Sequence, residues 1–295
     1  MSAPYFSIVI PTYNRASRIR KTIQSALDQH FPDFEIIVVD DGSTDNTEAV
    51  VTAINDKRIR YLKKANEERG AARNAGSSLA LGAYINFLDS DDLLRPNHLQ
   101  EAKELIESHP AVEVFHLGYD VRTVDDKLLR DSSDVKNINE QIVYGNFLAC
   151  SCVFLKREVC LANPFNEDRT LSVIEDWELW LRIAAKYQFS YRPTITSTVV
   201  NHDERSVMSV DIIKIKTMTA LFIALITSNE KIKAHFGSKV DKIVASALTY
   251  TALHIAIAKA KTADILFYTI RGLMKNPGEV FRKRFFVILK FLVLR

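Results

Sequence analysis

The feature that most constrains this chain is a repeated alternation of two hydrophobic periods. Phe6 to Ile10 and Glu35 to Val39 are short, β-branched, nearly continuous apolar runs, as expected of strands buried on both faces of a parallel sheet. Between them, Ala16 to Gln29 has helical spacing. The alternation continues with helical patterns at Thr44–Ile54 and Gly70–Leu81 and strand patterns at Ile59–Leu62 and Tyr84–Leu88. Together they predict an α/β fold with a Rossmann-like, doubly wound, mostly parallel sheet.

Beyond Pro96 the pattern predicts a helix running toward His109, a strand at Val112–Leu117, a polar loop over Asp125–Asn139 and a strand at Ile195–Val200. Residues 211–227, 240–258 and 262–275 read as three apolar-rich helices. Charge marks a boundary that periodicity alone does not. Residues 206–295 carry 15 Lys/Arg against 5 Asp/Glu, a net +10, which leaves 24 against 31, a net −7, for residues 1–205. We therefore expect an α/β domain at 1–205 and a basic helical region at 206–295 with different partners. The N-terminus shows no basic, apolar and small-residue succession of a secretory signal. Cys150, Cys152 and Cys160 are odd in number and lack zinc spacing, so reduced thiols and a cytoplasmic location are expected.

Chemistry concentrates at strand ends. The first strand runs into Pro11-Thr12-Tyr13-Asn14-Arg15, where an aromatic and several donors replace the glycine-rich turn of a dinucleotide site. The second ends in Asp40-Asp41-Gly42-Ser43-Thr44-Asp45, which places carboxylates where open α/β sheets bind ligands. Part of that stretch is explained by helix capping, with Asp45 as the structural acid. The fourth strand meets Asp89-Ser90-Asp91-Asp92; acids this close repel unless a cation neutralises them. Hard divalent cations accept carboxylate oxygens and keep positions for phosphates, although acidic turns are common. Arg69 to Gly76 is a small-residue helix with two guanidiniums, suited to close packing on a sheet. Glu175-Asp176 opens a further helix, where acids also suit the helix dipole, and His202 follows a strand, where a structural role is the commoner one.

Taken together, Phe6 to Asn14, Glu35 to Asp45, Arg69 to Gly76, Leu88 to Asp92 and Glu175 to Arg182 resemble family-2 glycosyltransferases of bacterial polysaccharide biosynthesis, in order and spacing, over about residues 5 to 205. The resemblance implies a GT-A fold, with a nucleotide site lined by Pro11, Thr12, Tyr13, Asp41, Arg73 and Ser90. It further implies metal ligation by Asp89 and Asp91, with His202 matching a looser part of the pattern, and Asp176 as catalytic base. Glu175 competes for that last role.

The reaction expected on this resemblance is inverting transfer from a nucleotide sugar, UDP being the commonest carrier, to a saccharide or lipid-linked hydroxyl, with Mn²⁺ or Mg²⁺ as cofactor. A nucleotidyltransferase, or an inactive nucleotide-binding relative, are the alternatives. The first lacks its glycine-rich triphosphate loop, and the second is expected to have lost one of the acids. The basic C-terminal region interleaves charge with long aliphatic runs, which favours an anionic membrane surface, or self-association into a homo-oligomer, over nucleic acid. The stretch Phe285 to Leu294 is too short to span a bilayer. With Arg282, Lys283, Arg284, Lys290 and Arg295 around it, an interfacial helix and a peripheral place on the cytoplasmic membrane face are expected.

Overall fold

Every side chain of the first strand, β1 (Phe6–Thr12), is buried, which only a strand covered on both faces achieves. The computed structural model describes residues 3–133, 135, 137–203 and 211–293. Elements follow in the order α1 (Ile19–Leu27), β2 (Phe34–Asp40), α2 (Thr47–Thr52), β3 (Ile59–Lys63), α3 (Glu68–Leu79), β4 (Tyr84–Phe87), β5 (Leu93–Leu94), α4 (His98–Ser108), β6 (Val114–Thr123) and β7 (Leu128–Asp131). After α5 (Ile138–Gln141) come β8 (Val153–Lys156), α6 (Arg157–Ala162), α7 (Glu175–Ala184) and β9 (Ser190–Asn201). The remainder is helical: α8 (Ile212–Ser228), α9 (Glu230–Phe236), α10 (Val240–Ile257), α11 (Thr262–Lys275) and α12 (Lys283–Val293).

Two compact units emerge. The first comprises residues 1–139, 148–169 and 187–203 and holds the sheet. Its strand order is β3-β2-β1-β4-β8-β6-β9-β5, with β7 beside β6. The pairs β1–β2, β1–β4 and β2–β3 are parallel, as the alternating pattern predicts. Beyond β4 the sheet becomes mixed, with β8 antiparallel to both β4 and β6, and β6 parallel to β9. The expected loop at 125–139 contains β7, whose four side chains are all exposed. An edge strand with no buried face has no apolar alternation to reveal it.

Gly76 sets how closely α3 approaches the sheet, since a Cβ there would lie 2.3 Å from Val9 Cγ1. The three cysteines are buried and free; burial raises the Cys152 thiol to about 12 and Cys160 to about 11.

The second unit comprises residues 140–147, 170–186 and 204–295. The expected domain boundary at 205/206 lies outside the described residues, and α7, with Asp176, groups with this helical unit. Trp177 anchors α7 by donating from Nε1 to the Ile142 carbonyl at 2.9 Å and stacking on Phe222 with centroids 4.7 Å apart. The stretch Glu230–Ile257 is long and apolar enough to cross a membrane by length and composition, but its most apolar part is largely buried, as in a core helix.

The basic flank of α12 is only partly what its sequence suggests. Lys283 and Lys290 are exposed. Arg284 turns inward and donates to the Ser246 carbonyl at 2.6 Å and Thr249 Oγ1 at 3.0 Å, because its long stem reaches the polar edge of α10. Arg282 lies 3.7 Å over the Tyr144 ring and pairs with Glu279. Arg295 lies outside the described residues.

Candidate active site

In the first unit, the C-terminal ends of β1, β2 and β4 bring the predicted acids and cations to one edge of the sheet. The loops after β1 and β2 are interlocked. Asn14 adopts φ +50°, a left-handed conformation that asparagine tolerates better than most residues. From there its side chain accepts from Thr44 N at 2.8 Å while its own N–H donates to Ser43 Oγ at 2.9 Å. Asp45 accepts from Ala16 N at 3.1 Å and Thr47 N at 3.0 Å. Burial pushes the Asp45 carboxyl up, and these bonds together with the Thr47 hydroxyl outweigh it, leaving it below the usual carboxylate value. Asp45 is structural here, as its capping pattern suggests.

Asp40 is fully buried and fixes the loop base, accepting from Ser43 N at 2.7 Å and Tyr61 OH at 2.7 Å. Burial and then this bond hold the Tyr61 phenol well above its ordinary range. Its neighbour Asp41 accepts from Lys64 Nζ at 3.1 Å, Asn66 Nδ2 at 3.1 Å and Glu67 N at 3.0 Å. A carboxylate has about four acceptor sites, so three protein donors leave room for one more. Gly42, at φ +82°, lets residues 64–67 fold over it; a Cβ would sit 2.9 Å from Asn66 N. Lys64 and Asn66 carry no motif in the sequence, and only the fold brings them here.

Pro11 and Thr12 end β1 in register with Val39 and Asp40. Tyr13 is 46% exposed, whereas Thr12 Oγ1 is buried and has no hydrogen-bond partner among the described residues. From α3, Arg73 is buried, lies 5.1 Å over the Phe165 ring and donates to Asp89 Oδ1 at 2.7 Å. Asn74 holds the following segment, donating to the Phe165 carbonyl at 2.9 Å and accepting from Phe165 N at 2.8 Å.

The four residues after Leu88 take different tasks. Asp89 faces Arg73, and Ser90 is buried in the turn. Asp91 lies 3.1 Å from His202 Nε2 and 3.4 Å from Arg15 Nε. Asp92 is buried and accepts from Val200 N at 3.0 Å, which ties the turn to the end of β9. That tie delivers His202 to Asp91, a pairing across 111 residues that no local pattern discloses. His202 Nδ1 is buried without a partner among the described residues.

No group of three or more His, Cys, Asp or Glu able to hold a metal occurs among the described residues. The Asp91 carboxylate is nevertheless a ligand suited to Mn²⁺ or Mg²⁺ when phosphate oxygens complete the coordination, and the His202 nitrogen beside it could add a donor for Mn²⁺. Asp89 has a guanidinium on its Oδ1 and is placed less directly for that role.

Asp176 stands at the first turn of α7 in the second unit. Its Oδ2 accepts from Asn146 Nδ2 at 2.7 Å and its Oδ1 from Trp177 N at 2.7 Å. Glu175 is buried and turned back to accept from Val173 N at 2.7 Å. Asp176 is therefore the more accessible of the two candidate bases.

The description Glycosyl transferase family 2 matches residues 7–159. An uncharacterised glycosyltransferase of Rickettsia felis is 35% identical over 184 residues, which is 61% of this chain but 30% of that protein. Among solved structures, S. aureus TarS 1–349 in complex with UDP-GlcNAc aligns at TM-score 0.72 and 20% identity, covering 94% of this chain and 82% of that one. The mannosyltransferase PcManGT from Pyrobaculum calidifontis, in complex with GDP-Man and Mn²⁺, aligns at 0.64 and 18%, covering 99% and 87%. The family match covers more than half of the chain and spans the strand ends that carry the clustered acids, and the chain belongs to glycosyl transferase family 2 and has the GT-A fold.

Proposed function

We propose that this chain transfers a sugar with inversion from a nucleoside diphosphate sugar, UDP-linked in the first instance, to an acceptor hydroxyl of a growing glycan, on the cytoplasmic side of a membrane. The observation that carries the reading is the meeting of Thr12, Asp41, the Arg73–Asp89 pair and the Asp91–His202 pair at one sheet edge. These are the chemistries a nucleoside diphosphate requires. Asp41 offers an acceptor to a base imide, Thr12 an unspent hydroxyl, and Arg73 and Arg15 offset phosphate charge. Solved complexes of similar fold support the donor class, TarS with UDP-GlcNAc and PcManGT with GDP-Man.

Asp91 and His202 would hold Mn²⁺ or Mg²⁺, with Asp89 beside them. When bound, the cation supplies Lewis-acid neutralisation of the departing diphosphate. Asp176 takes the proton from the acceptor hydroxyl as the oxygen attacks the anomeric carbon. The bond from that carbon to the diphosphate oxygen breaks on the opposite face, and its electron pair leaves with the nucleoside diphosphate. A positioned general base contributes roughly 10²–10⁴-fold.

A panel of nucleotide sugars, assayed by release of nucleoside diphosphate with and without Mn²⁺, tests the reading. One donor is expected to give divalent-dependent release, and Asp91→Asn is expected to abolish the Mn²⁺-induced gain in UDP affinity measured by calorimetry. UDP binding that is indifferent to Mn²⁺ in the parent protein, or unchanged in the variant, would sink the metal assignment.

A further inference from the structure

The helical unit contains a trough of about 710 Å³ between α8 and α11, floored by α10. Its lining is largely apolar, from Ala220, Ile223, Val244, Leu248, Tyr268 and Met274. The floor exists because Gly272 lets α11 press onto α10: a Cβ there would lie 2.7 Å from Thr249 Cγ2. An ion pair stands at either end of α11. Lys216 Nζ meets Asp264 Oδ2 at 2.8 Å near its start, and Lys275 Nζ meets Asp241 Oδ1 at 2.9 Å at its last residue. The eleven steps from Asp264 to Lys275 separate these pairs by roughly 16 Å at about 1.5 Å per residue. One lining cation, Arg271, has no carboxylate partner among the described residues; its guanidinium lies 5.2 Å over the Phe267 ring.

We propose that this trough binds the hydrocarbon chain of a single amphiphile whose phosphate is held by Arg271, and that this amphiphile is the lipid anchor of the glycan acceptor. The identification as acceptor rests on the glycosyltransferase reading above; the binding does not. Three observations select this occupant. An apolar trough closed by charges at both ends accepts one chain lying between them, whereas a protein partner broad enough to cover it would desolvate both ion pairs. A bilayer surface makes contact with protruding apolar side chains and leaves a recess unfilled unless one lipid enters it. Arg271, with no partner acid, supplies the complementary charge for one anionic head group, within a region whose net charge is +10.

The probe is dodecyl phosphate, titrated by calorimetry below its micellar range against the full chain. Single-site binding is expected, and Ala220→Trp, which fills the trough from an exposed position on α8, is expected to weaken it at least tenfold with the circular dichroism spectrum unchanged. Arg271→Gln is expected to reduce dodecyl phosphate affinity to that of dodecanol. Lys283→Glu/Lys290→Glu, which changes the outer face of α12, is expected to leave it intact. Equal binding by parent and Ala220→Trp would overturn the proposal. So would loss of binding in the α12 variant alone, which would assign the amphiphile to a bilayer face. A parent dimer that becomes monomeric in Ala220→Trp by sedimentation velocity would overturn it too, by assigning the trough to a second copy. Nucleoside diphosphate release is expected to persist in Ala220→Trp. Its absence from the parent protein would refute the transferase reading while leaving the binding result standing.

Discussion

At the residue scale, neighbouring acids with similar sequence surroundings have different tasks because their hydrogen-bond partners differ. Asp91 faces a histidine and an arginine, while Asp92 receives a backbone N–H from β9. The same logic separates Glu175, spent on its own loop, from Asp176, whose Oδ2 is held by Asn146. Asp176→Asn is expected to lower kcat by roughly 10²–10⁴-fold with UDP affinity unchanged. Asn146→Ala is expected to lower kcat by between about 10- and 150-fold, the equivalent of a hydrogen bond to a charged group at about 1.5–3 kcal/mol. Steady-state kinetics beside calorimetric UDP binding checks both, and a kcat loss confined to Glu175→Gln would exchange the roles. Asp89, Asp91 and Asp176 are legible in the sequence because each sits at a strand or helix end with a distinctive local pattern. Asn146, Lys64 and Asn66 are not, because each owes its position to a tertiary approach from elsewhere in the chain.

At the element scale, the parallel half of the sheet is readable because strands buried on both faces show as unbroken apolar runs. The mixed half is less so. β6 carries His116 and Asp120 at fully covered positions, which interrupt the run, and β9 extends well before Ile195 through half-buried residues. The polar residues buried there carry a consequence for stability. His98, on α4, donates or accepts from Nδ1 at Thr196 Oγ1 at 2.8 Å, while neither ring nitrogen of His116 has a partner among the described residues. Burial lowers both to about 3, with the neighbouring His98 adding to the effect on His116. Since the unfolded chain titrates near 6.5, it takes up protons first as pH falls, so the stability these neutral rings permit is complete above about pH 6.5 and declines from there toward pH 3. Between pH 7.5 and 5.0 the decline is about 2 kcal/mol per histidine. Urea midpoints at the two pH values measure it, and His116→Phe is expected to remove about half of the histidine-dependent loss. An identical pH dependence in parent and variant would mean that His116 does not contribute to it.

At the scale of the whole molecule, the opposed charges of residues 1–205 and 206–295 ask what the basic part faces. The helical unit groups exposed apolar side chains on two elements, Leu266, Phe267, Ile270 and Met274 on α11 and Phe286, Val287, Leu289 and Val293 on α12, beside single ones such as Ile213 on α8 and Ile257 on α10. On α12 these accompany Lys283 and Lys290, while the opposite face packs through Ile288 onto α10 and α11. An outward face of this composition suits the interface of an anionic bilayer, into which its apolar side chains would insert. The sequence overstates the electrostatic share. Five basic residues flank the segment, but Arg284 and Arg282 are engaged within the unit and Arg295 lies outside the described residues, which leaves Lys283 and Lys290 among those described, at roughly 1 kcal/mol each near anionic lipid. Attachment should accordingly be modest, with the apolar face contributing most of it. In co-sedimentation with phosphatidylglycerol-containing vesicles at low salt, the full chain is expected to bind. Lys283→Glu/Lys290→Glu should weaken binding by more than tenfold, since two attractive charges become two repulsive ones. Phe286→Ser/Val293→Ser should weaken it further and make the remainder more salt-sensitive. Binding that 1 M salt abolishes in the parent chain would show instead that charge dominates, and no binding at low salt would reassign the exposed faces of α11 and α12 to contacts between copies of the chain.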